Sequence, residues 1–135
     1  MLKIIIDTNI WISFLIGKSL KGLHHFLNDN RFQIITSDEQ ISELIEVLSR
    51  PKFKKYFSKE HIIDFLKLIE EKSQFIRLIS KIDLCRDAKD NYLLSLAVDS
   101  KSDYLITGDD DLIVLKEIND TQILNFKDFE SKFMN

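Results

Sequence analysis

Three glycines, one proline, one cysteine and three histidines are all that 135 residues contain of those types. So little glycine and proline excludes collagen-like and low-complexity chains. A lone Cys85 can form neither an internal disulfide nor a CxxC metal knuckle, and His24, His25 and His61 have no cysteine partners, so zinc and disulfide redox chemistry are not expected. Long apolar runs are absent too: none approaches the ~18 to 20 residues that a membrane span requires. The N-terminus passes from Met1-Leu2-Lys3 directly into Ile4-Ile5-Ile6-Asp7, without the apolar stretch and cleavage site of a secretory signal. A cytoplasmic protein with no membrane partner is expected. There is also no basic excess. Nineteen Lys and Arg against 22 Asp and Glu leave a net charge of −3, which argues against nonspecific coating of nucleic acid. It does not exclude a nuclease, because an acidic metal site subtracts from the total.

What is present is a core. The chain is 44% hydrophobic and 30% charged, with ten Phe, and a domain of this length buries roughly two-thirds of its unfolded surface. No internal repeat, linker or composition shift divides it, so residues 1–135 read as a single domain. Strand-like segments appear as short continuous apolar runs, the pattern of strands buried on both faces of a parallel sheet: Lys3 to Ile6, Gln33 to Thr36, Phe75 to Ile79, Asp103 to Thr107 and Thr121 to Asn125. Helical spacing occupies Ile10 to Leu15, Leu20 to Leu27, Ile41 to Leu48, Ile62 to Ile69 and Tyr92 to Val98. Ser19, Ser37 or Asp38, Ser58 and Asp87 stand where N-caps are wanted. The Arg50-Pro51 step should end or bend the preceding helix. Alternating strands and helices imply right-handed βαβ crossovers. The fold class predicted is α/β, a three-layer α/β/α sandwich around a central, mainly parallel sheet of about five strands.

In open α/β sheets, ligands bind beyond the carboxyl ends of the strands. The first strand ends in Asp7-Thr8-Asn9 and the fourth in Thr107-Gly108-Asp109-Asp110-Asp111, while Asp87 and Asp90 open the helix that feeds the fourth strand. Each acid also has a plain structural role open to it. Asp7 can cap the helix after strand one, Asp87 resembles half of a capping box, and one of Asp109 to Asp111 can cap a short helix near Leu112 to Leu115. Their convergence is harder to explain that way. Two carboxylates ~4 Å apart repel by about 4 kcal/mol at an effective dielectric of 20, so several in one cleft call for a compensating cation. All-oxygen ligation suits Mg²⁺ or Mn²⁺. Glu39, Glu43 and Glu46 share a helix face, and spacing alone does not choose among them.

Other chemistries lack their residues. Gly17, Gly22 and Gly108 supply neither GxGxxG nor GxxxxGK[ST]. Asn9 stands where a DxD phosphatase needs its second Asp, and no Ser/His/Asp or Cys/His arrangement is evident. The stretch Arg50, Lys52, Lys54, Lys55 and Lys59, interleaved with Phe53, Tyr56 and Phe57, reads either as a solvated face over core aromatics or as a steering surface for a phosphate backbone. Trp11, Phe14, Phe26 and Phe65 are expected in the core, and Cys85 is expected to be buried and without chemistry.

Four segments together resemble a known family. Ile4-Ile5-Ile6-Asp7-Thr8-Asn9-Ile10-Trp11, Ser42-Glu43-Leu44-Ile45-Glu46-Val47-Leu48-Ser49-Arg50-Pro51-Lys52-Phe53, Cys85-Arg86-Asp87-Ala88-Lys89-Asp90-Asn91 and Asp103-Tyr104-Leu105-Ile106-Thr107-Gly108-Asp109-Asp110-Asp111-Leu112 occur in the order and with the gaps of PIN-domain ribonucleases. The chain most resembles the PIN-family toxin components of bacterial toxin–antitoxin systems, over nearly its whole length. The resemblance implies a catalytic, metal-binding quartet: Asp7 as the first acid, Glu43 as the helix acid, Asp90 as the acid before the helix alanine Ala97, and Asp109 as the acid of the Thr-Gly-Asp turn. It implies orienting roles for Asn9 and Thr107. A further acid beside the fourth is matched by Asp111, whereas Asn91 stands beside the third. The activity implied is endonucleolytic hydrolysis of single-stranded RNA or structured RNA loops with Mg²⁺ or Mn²⁺, leaving a 5′-phosphate and a 3′-hydroxyl. The partners implied are a protein antitoxin and a second copy of the chain in a homodimer. Two other readings stay open: an RNA-processing PIN nuclease without an antitoxin, and a noncatalytic metal-binding interaction module.

Overall fold

Apolar residues that alternate between two faces of a strand must find cover on both. In β1 (Leu2–Ile6), Ile4 and Ile6 enter one hydrophobic cluster and Ile5 the other. This computed structural model describes residues 1–17 and 27–133, and within them β1 lies near the middle of a six-stranded sheet of order β3-β2-β1-β4-β6-β5. The neighbours are β2 (Phe32–Thr36), β3 (Ser73–Phe75), β4 (Tyr104–Ile106), β5 (Glu117–Ile118) and β6 (Thr121–Leu124). Every adjacent pair is parallel except β5 with β6. The sheet is therefore mainly parallel, as its continuous apolar runs require.

Helices cover both faces. On the side of Ile4 and Ile6 lie α1 (Thr8–Gly17), α2 (Asp38–Leu48), the short α3 (Pro51–Lys54), α4 (Lys59–Lys72) and α7 (Phe126–Phe133), which contribute Trp11, Leu44, Leu48, Phe53, Phe65, Ile69 and Phe129. On the side of Ile5 and Leu105, α5 (Asn91–Ser100) supplies Leu93, Leu94, Leu96 and Ala97, and α6 (Asp110–Ile113) adds Leu112. Three layers result. Trp11, Phe14, Phe65 and Cys85 are buried as expected. The Ser37 and Ser58 side chains accept N–H bonds as the N-caps of α2 and α4. Pro51 occupies the first turn of α3 immediately after α2 ends, where its fixed φ and missing N–H fit a helix start. The helical segment Leu20 to Leu27, its cap Ser19 and the core residue Phe26 lie outside the described residues except for Leu27, which is buried.

Three elements differ from expectation. The strand expected over Phe75 to Ile79 instead occupies Ser73–Phe75. Its partner β2 ends at Thr36, whose carbonyl takes one last bond from the Ile76 N–H at 2.9 Å. The chain then turns to Asp99 on α5, whose carboxylate accepts the N–H groups of Ile79 (2.7 Å) and Ser80 (2.9 Å) and the Ser80 hydroxyl. Burial alone would raise the Asp99 pKa, but the Ser80 hydroxyl and these two N–H groups outweigh it and hold the carboxyl below its ordinary range. The sheet has six strands where about five were expected, because the short β5 folds back on β6 through Asn119, which adopts a left-handed φ of 49° that Asn tolerates better than most residues.

The third element, α7, was not anticipated. It packs Phe129 and Phe133 against Phe32 and Tyr104, with ring centroids 5.1 to 5.9 Å apart. Such ring pairs add to the stabilisation from burial alone. Phe129 is fully buried in this cluster, and Phe129→Ala is expected to cost about 3–5 kcal/mol of unfolding free energy. Urea denaturation monitored by circular dichroism checks this; a loss under about 1 kcal/mol would mean that α7 is peripheral to the fold.

Candidate active site

Asp7 directly follows β1, at the carboxyl end of the sheet. Its N–H donates to the Ile106 carbonyl of β4 at 2.9 Å, while its own carbonyl accepts the N–H groups of Ile10 (3.0 Å) and Trp11 (3.1 Å) and so starts α1. The backbone thus pins the side chain where two central strands end. Only 3% of Asp7 is exposed. Its carboxylate accepts the Thr107 hydroxyl at 2.6 Å and the Asn9 N–H at a long 3.4 Å. Burial pushes its pKa up, those two bonds pull it down, the charges of Glu43 and Asp109 push it up again, and the net shift is upward.

Thr107 does two jobs. While donating to Asp7, its hydroxyl oxygen accepts the Asp109 N–H at 3.0 Å, which folds the Thr107-Gly108-Asp109 turn back over the end of β4. The Asp109 carboxylate in turn accepts the Asp111 N–H at 2.9 Å and caps α6. Asp90 ends a 3₁₀ turn (Ala88–Asp90) that Asp87 caps by accepting the Lys89 N–H. Although Asp90 is itself the N-cap residue of α5, its side chain makes no capping bond. It stands instead beside the Asp109 carboxyl. Burial first, then the approach of Asp109 and the charges of Asp7, Asp109 and Asp87, raise Asp90 to about 8.

Glu43 arrives from α2. Its charge is felt at Asp7 and at the half-buried Tyr92, whose hydroxyl meets the Thr8 hydroxyl at 3.2 Å. Burial, the main cause, pushes the Tyr92 phenol above its ordinary range. Asn9 lies at the exposed rim, and Glu43, Asp87 and Asp90 line the same cleft of about 810 Å³. Asp111, on the first turn of α6, has its charge felt at the Cys85 thiol, which burial pushes up. Glu39 and Glu46 face solvent.

Sequence reasoning missed Thr8, Tyr92 and Gln40. Gln40 is completely buried on α2, its amide N–H donating to the Ile6 carbonyl and its amide oxygen accepting the Thr36 hydroxyl at 2.6 Å. It ties α2 to the ends of β1 and β2, one turn before Glu43. A Gln directly before Ile41, three residues ahead of a candidate ligand, was the available signal.

Among the described residues, no three His, Cys, Asp or Glu side chains close on one point as a preformed cage for an ion. The donor chemistry nonetheless fits a hard divalent cation. Every candidate atom is a carboxylate, amide or hydroxyl oxygen, and an Mg²⁺ site needs only one or two carboxylates because the ion keeps most of its waters. Burial, the largest cause of the raised Asp7 and Asp90, and the repulsion among the acids are both costs that a bound cation would offset.

A folded-state pKa raised to about 8 from 3.8 means that Asp90 favours the fold most when protonated. That contribution is fully present below pH 3.8 and is lost as pH rises through about 8. Asp90→Asn, which imitates the protonated form, should therefore raise the Tm of the metal-free protein above pH 8 and change it little near pH 4. Discounted for screening of a partly exposed carboxyl, the effect is of order 1 kcal/mol, about 3–6 °C in Tm. Thermal melts in EDTA across that range check it, and a constant offset at all pH values would contradict it.

Comparison with known proteins adds to this geometry. A family model described as PIN domain matches residues 3–111, a span that runs from β1 to Asp111 and includes Asp7, Glu43, Asp90 and Asp109. Over 121 residues the chain is 32% identical to uncharacterized protein MJ1680 of Methanocaldococcus jannaschii, covering 87% of this chain and 77% of that protein. Its fold is similar to a chain in the crystal structure of VapBC2 from Rickettsia felis bound to a DNA fragment from their promoter. That similarity has a TM-score of 0.61 at 17% identity and covers 92% of this chain and 98% of the other. At that identity the likeness concerns fold alone. The match of one family model across four separated acidic segments is of another kind, and by it this chain belongs to the PIN domain family.

Proposed function

We propose that this protein is an endoribonuclease that hydrolyses RNA phosphodiester bonds with Mg²⁺ or Mn²⁺, and that it is the toxin of a toxin–antitoxin pair. In this reading residues 1–135 act as one PIN-like domain, working in the cytoplasm as a homodimer that a protein antitoxin silences. The observation that carries the activity is the meeting of Asp7, Asp90 and Asp109, with Glu43 close by, from four separate segments at the carboxyl end of a parallel sheet. Ordinary capping accounts for Asp87 and for one oxygen of Asp109. It does not account for the burial of Asp7, whose capping contact with the Asn9 N–H is a long 3.4 Å, or for an Asp90 raised to about 8 without a capping bond.

Asp7, Asp90 and Asp109 would hold the ion, with Glu43 as a further ligand or as the group that orients water, and Asp111 as an additional ligand on the α6 side. When bound, the cation would lower the pKa of an attacking water and neutralise charge on the leaving 3′-oxygen. The chain's own residues prepare the rest. Thr107 fixes one oxygen of Asp7 and, through the Asp109 N–H, the loop that carries Asp109. Tyr92 and Thr8 link α5 to α1 beside Glu43. Asn9, at the rim of the cleft, presents a neutral amide able to donate to a phosphate or orient a water. The Asp90 proton must leave before that carboxyl can bind a cation, so ion uptake near neutral pH should release protons.

Cleavage of end-labelled RNA by the purified protein, with each metal and with EDTA, tests the activity. Asp7→Asn is expected to lower the metal-dependent rate by on the order of 100-fold or more, as removal of a preorganised electrostatic group does, while the far-ultraviolet circular dichroism stays unchanged. A folded variant that cuts at the wild-type rate would falsify the assignment. The fold likeness to a VapBC2 chain supports the toxin role. Induced expression should accordingly arrest growth with the wild type and not with Asp7→Asn. Normal growth in the presence of demonstrated cleavage would favour the RNA-processing nuclease without an antitoxin.

A further inference from the structure

The basic stretch from Arg50 to Lys59 is continuous in sequence but divided in space. Arg50 stands where α2 ends and α3 begins, and it lines the acidic cleft together with Lys89, from the turn that carries Asp90. Lys54 and Lys59 line a separate groove of about 700 Å³, floored by apolar side chains such as Leu48, Phe57 and Ile62. Lys52 and Tyr56 border a third surface beside Ile16. The steering surface read from the sequence is therefore three surfaces, and only one of them adjoins the acids.

Arg50 and Lys89 are the two cations among the residues that line the cleft, beside six carboxylates: Asp38, Glu39, Glu43, Glu46, Asp87 and Asp90. Both cations are exposed. Neither is ion-paired, for among the described residues the one ion pair joins Arg31 to Asp29. The acids around them leave the guanidinium and the ammonium free to bind an external anion. A guanidinium grips a phosphate bidentately and an ammonium holds one as a point charge. They come from different elements, the α2–α3 junction and the Asp87–Asp90 turn, and line one cleft.

Resting on the nuclease reading above, we propose that Arg50 and Lys89 clamp the backbone phosphates of single-stranded RNA next to the bond that is cut, and that Lys54 and Lys59 take no part. The same pair explains how a chain of net charge −3 can admit a polyanion to an acidic site: the attraction is local and close to the acids.

Fluorescence anisotropy of a short fluorescein-labelled, mixed-sequence oligoribonucleotide tests the clamp, using full-length Asp7→Asn as the parent so that the probe stays intact. Arg50→Ala and Lys89→Ala, each added to the parent, should weaken binding several-fold. Each should also reduce the slope of log affinity against log salt by about 0.7, the contribution of one single-strand phosphate contact. Arg50→Lys should recover part of the affinity. Lys54→Ala and Lys59→Ala should change neither quantity. Parent-like affinity and slope in the Arg50 and Lys89 variants would overturn the clamp, as would equal losses from Lys54 and Lys59, which would spread binding over the whole basic stretch. Failure of the parent to bind the probe at low salt would overturn it too. RNA cleavage by the wild type is read separately, so the clamp can fail while the nuclease stands.

Discussion

Everything at the candidate site depends on keeping one carboxylate, Asp7, out of water at the end of the central strand. Burial, the largest cause, disfavours its charge, and Glu43 and Asp109 add smaller repulsions. The fold opposes this with a single strong charge-assisted bond, the Thr107 hydroxyl at 2.6 Å, and with a backbone that leaves the side chain nowhere else to go. That bond joins residues one hundred positions apart only because β1 and β4 are neighbours in the sheet. The topology is thus part of the electrostatics. Exchange either strand with another and Asp7 would lose its one strong donor.

The cost is placed where the fold can bear it. The two hydrophobic clusters lie on the faces of the sheet, whereas the acids gather at its carboxyl edge, where loops and helix starts meet solvent. Capping and site chemistry are also less separate than they look from sequence. Asp109 caps α6 with one oxygen and stands close enough to Asp90 to help raise its pKa. The cap fixes the carboxyl that the neighbouring acid then meets. Asp87, by contrast, spends its side chain on the 3₁₀ turn and acts on Asp90 through its charge.

Much of this was legible in the sequence because it follows local rules. Continuous apolar runs marked the parallel strands, Ser37, Ser58 and Asp87 marked helix starts, and Asp7 and Asp109 followed from the rule that strand ends carry the chemistry. What was not legible depends on partners distant along the chain. The third strand stops early because β2 offers nothing beyond Thr36 and because Asp99 recaptures the chain, and neither fact is written in residues 75–79. The helix Phe126–Phe133 did carry its signal, Phe126, Phe129 and Phe133 on one helical face, masked by the charged residues between them. Tyr92 reads as one more apolar residue of α5 until Thr8 is seen across from it at 3.2 Å.

The choice among Glu39, Glu43 and Glu46 shows why a face of a helix is too coarse a description. All three lie on the polar side of α2, and periodicity alone ranks them equally. Gln40 breaks the tie. Its amide is anchored to the Ile6 carbonyl and the Thr36 hydroxyl, which fixes the rotation of the helix about its own axis with Gln40 pointing inward. At 3.6 residues per turn, Glu43 then lies about 60° from that inward direction, Glu39 about 100° and Glu46 about 120° away. The half-buried state of Glu43 and the exposure of the other two follow from this rotation. A neutral amide hydrogen-bonded through both its nitrogen and its oxygen therefore selects which carboxylate reaches toward Asp7, and it does so without adding charge to a site that already has too much of one sign.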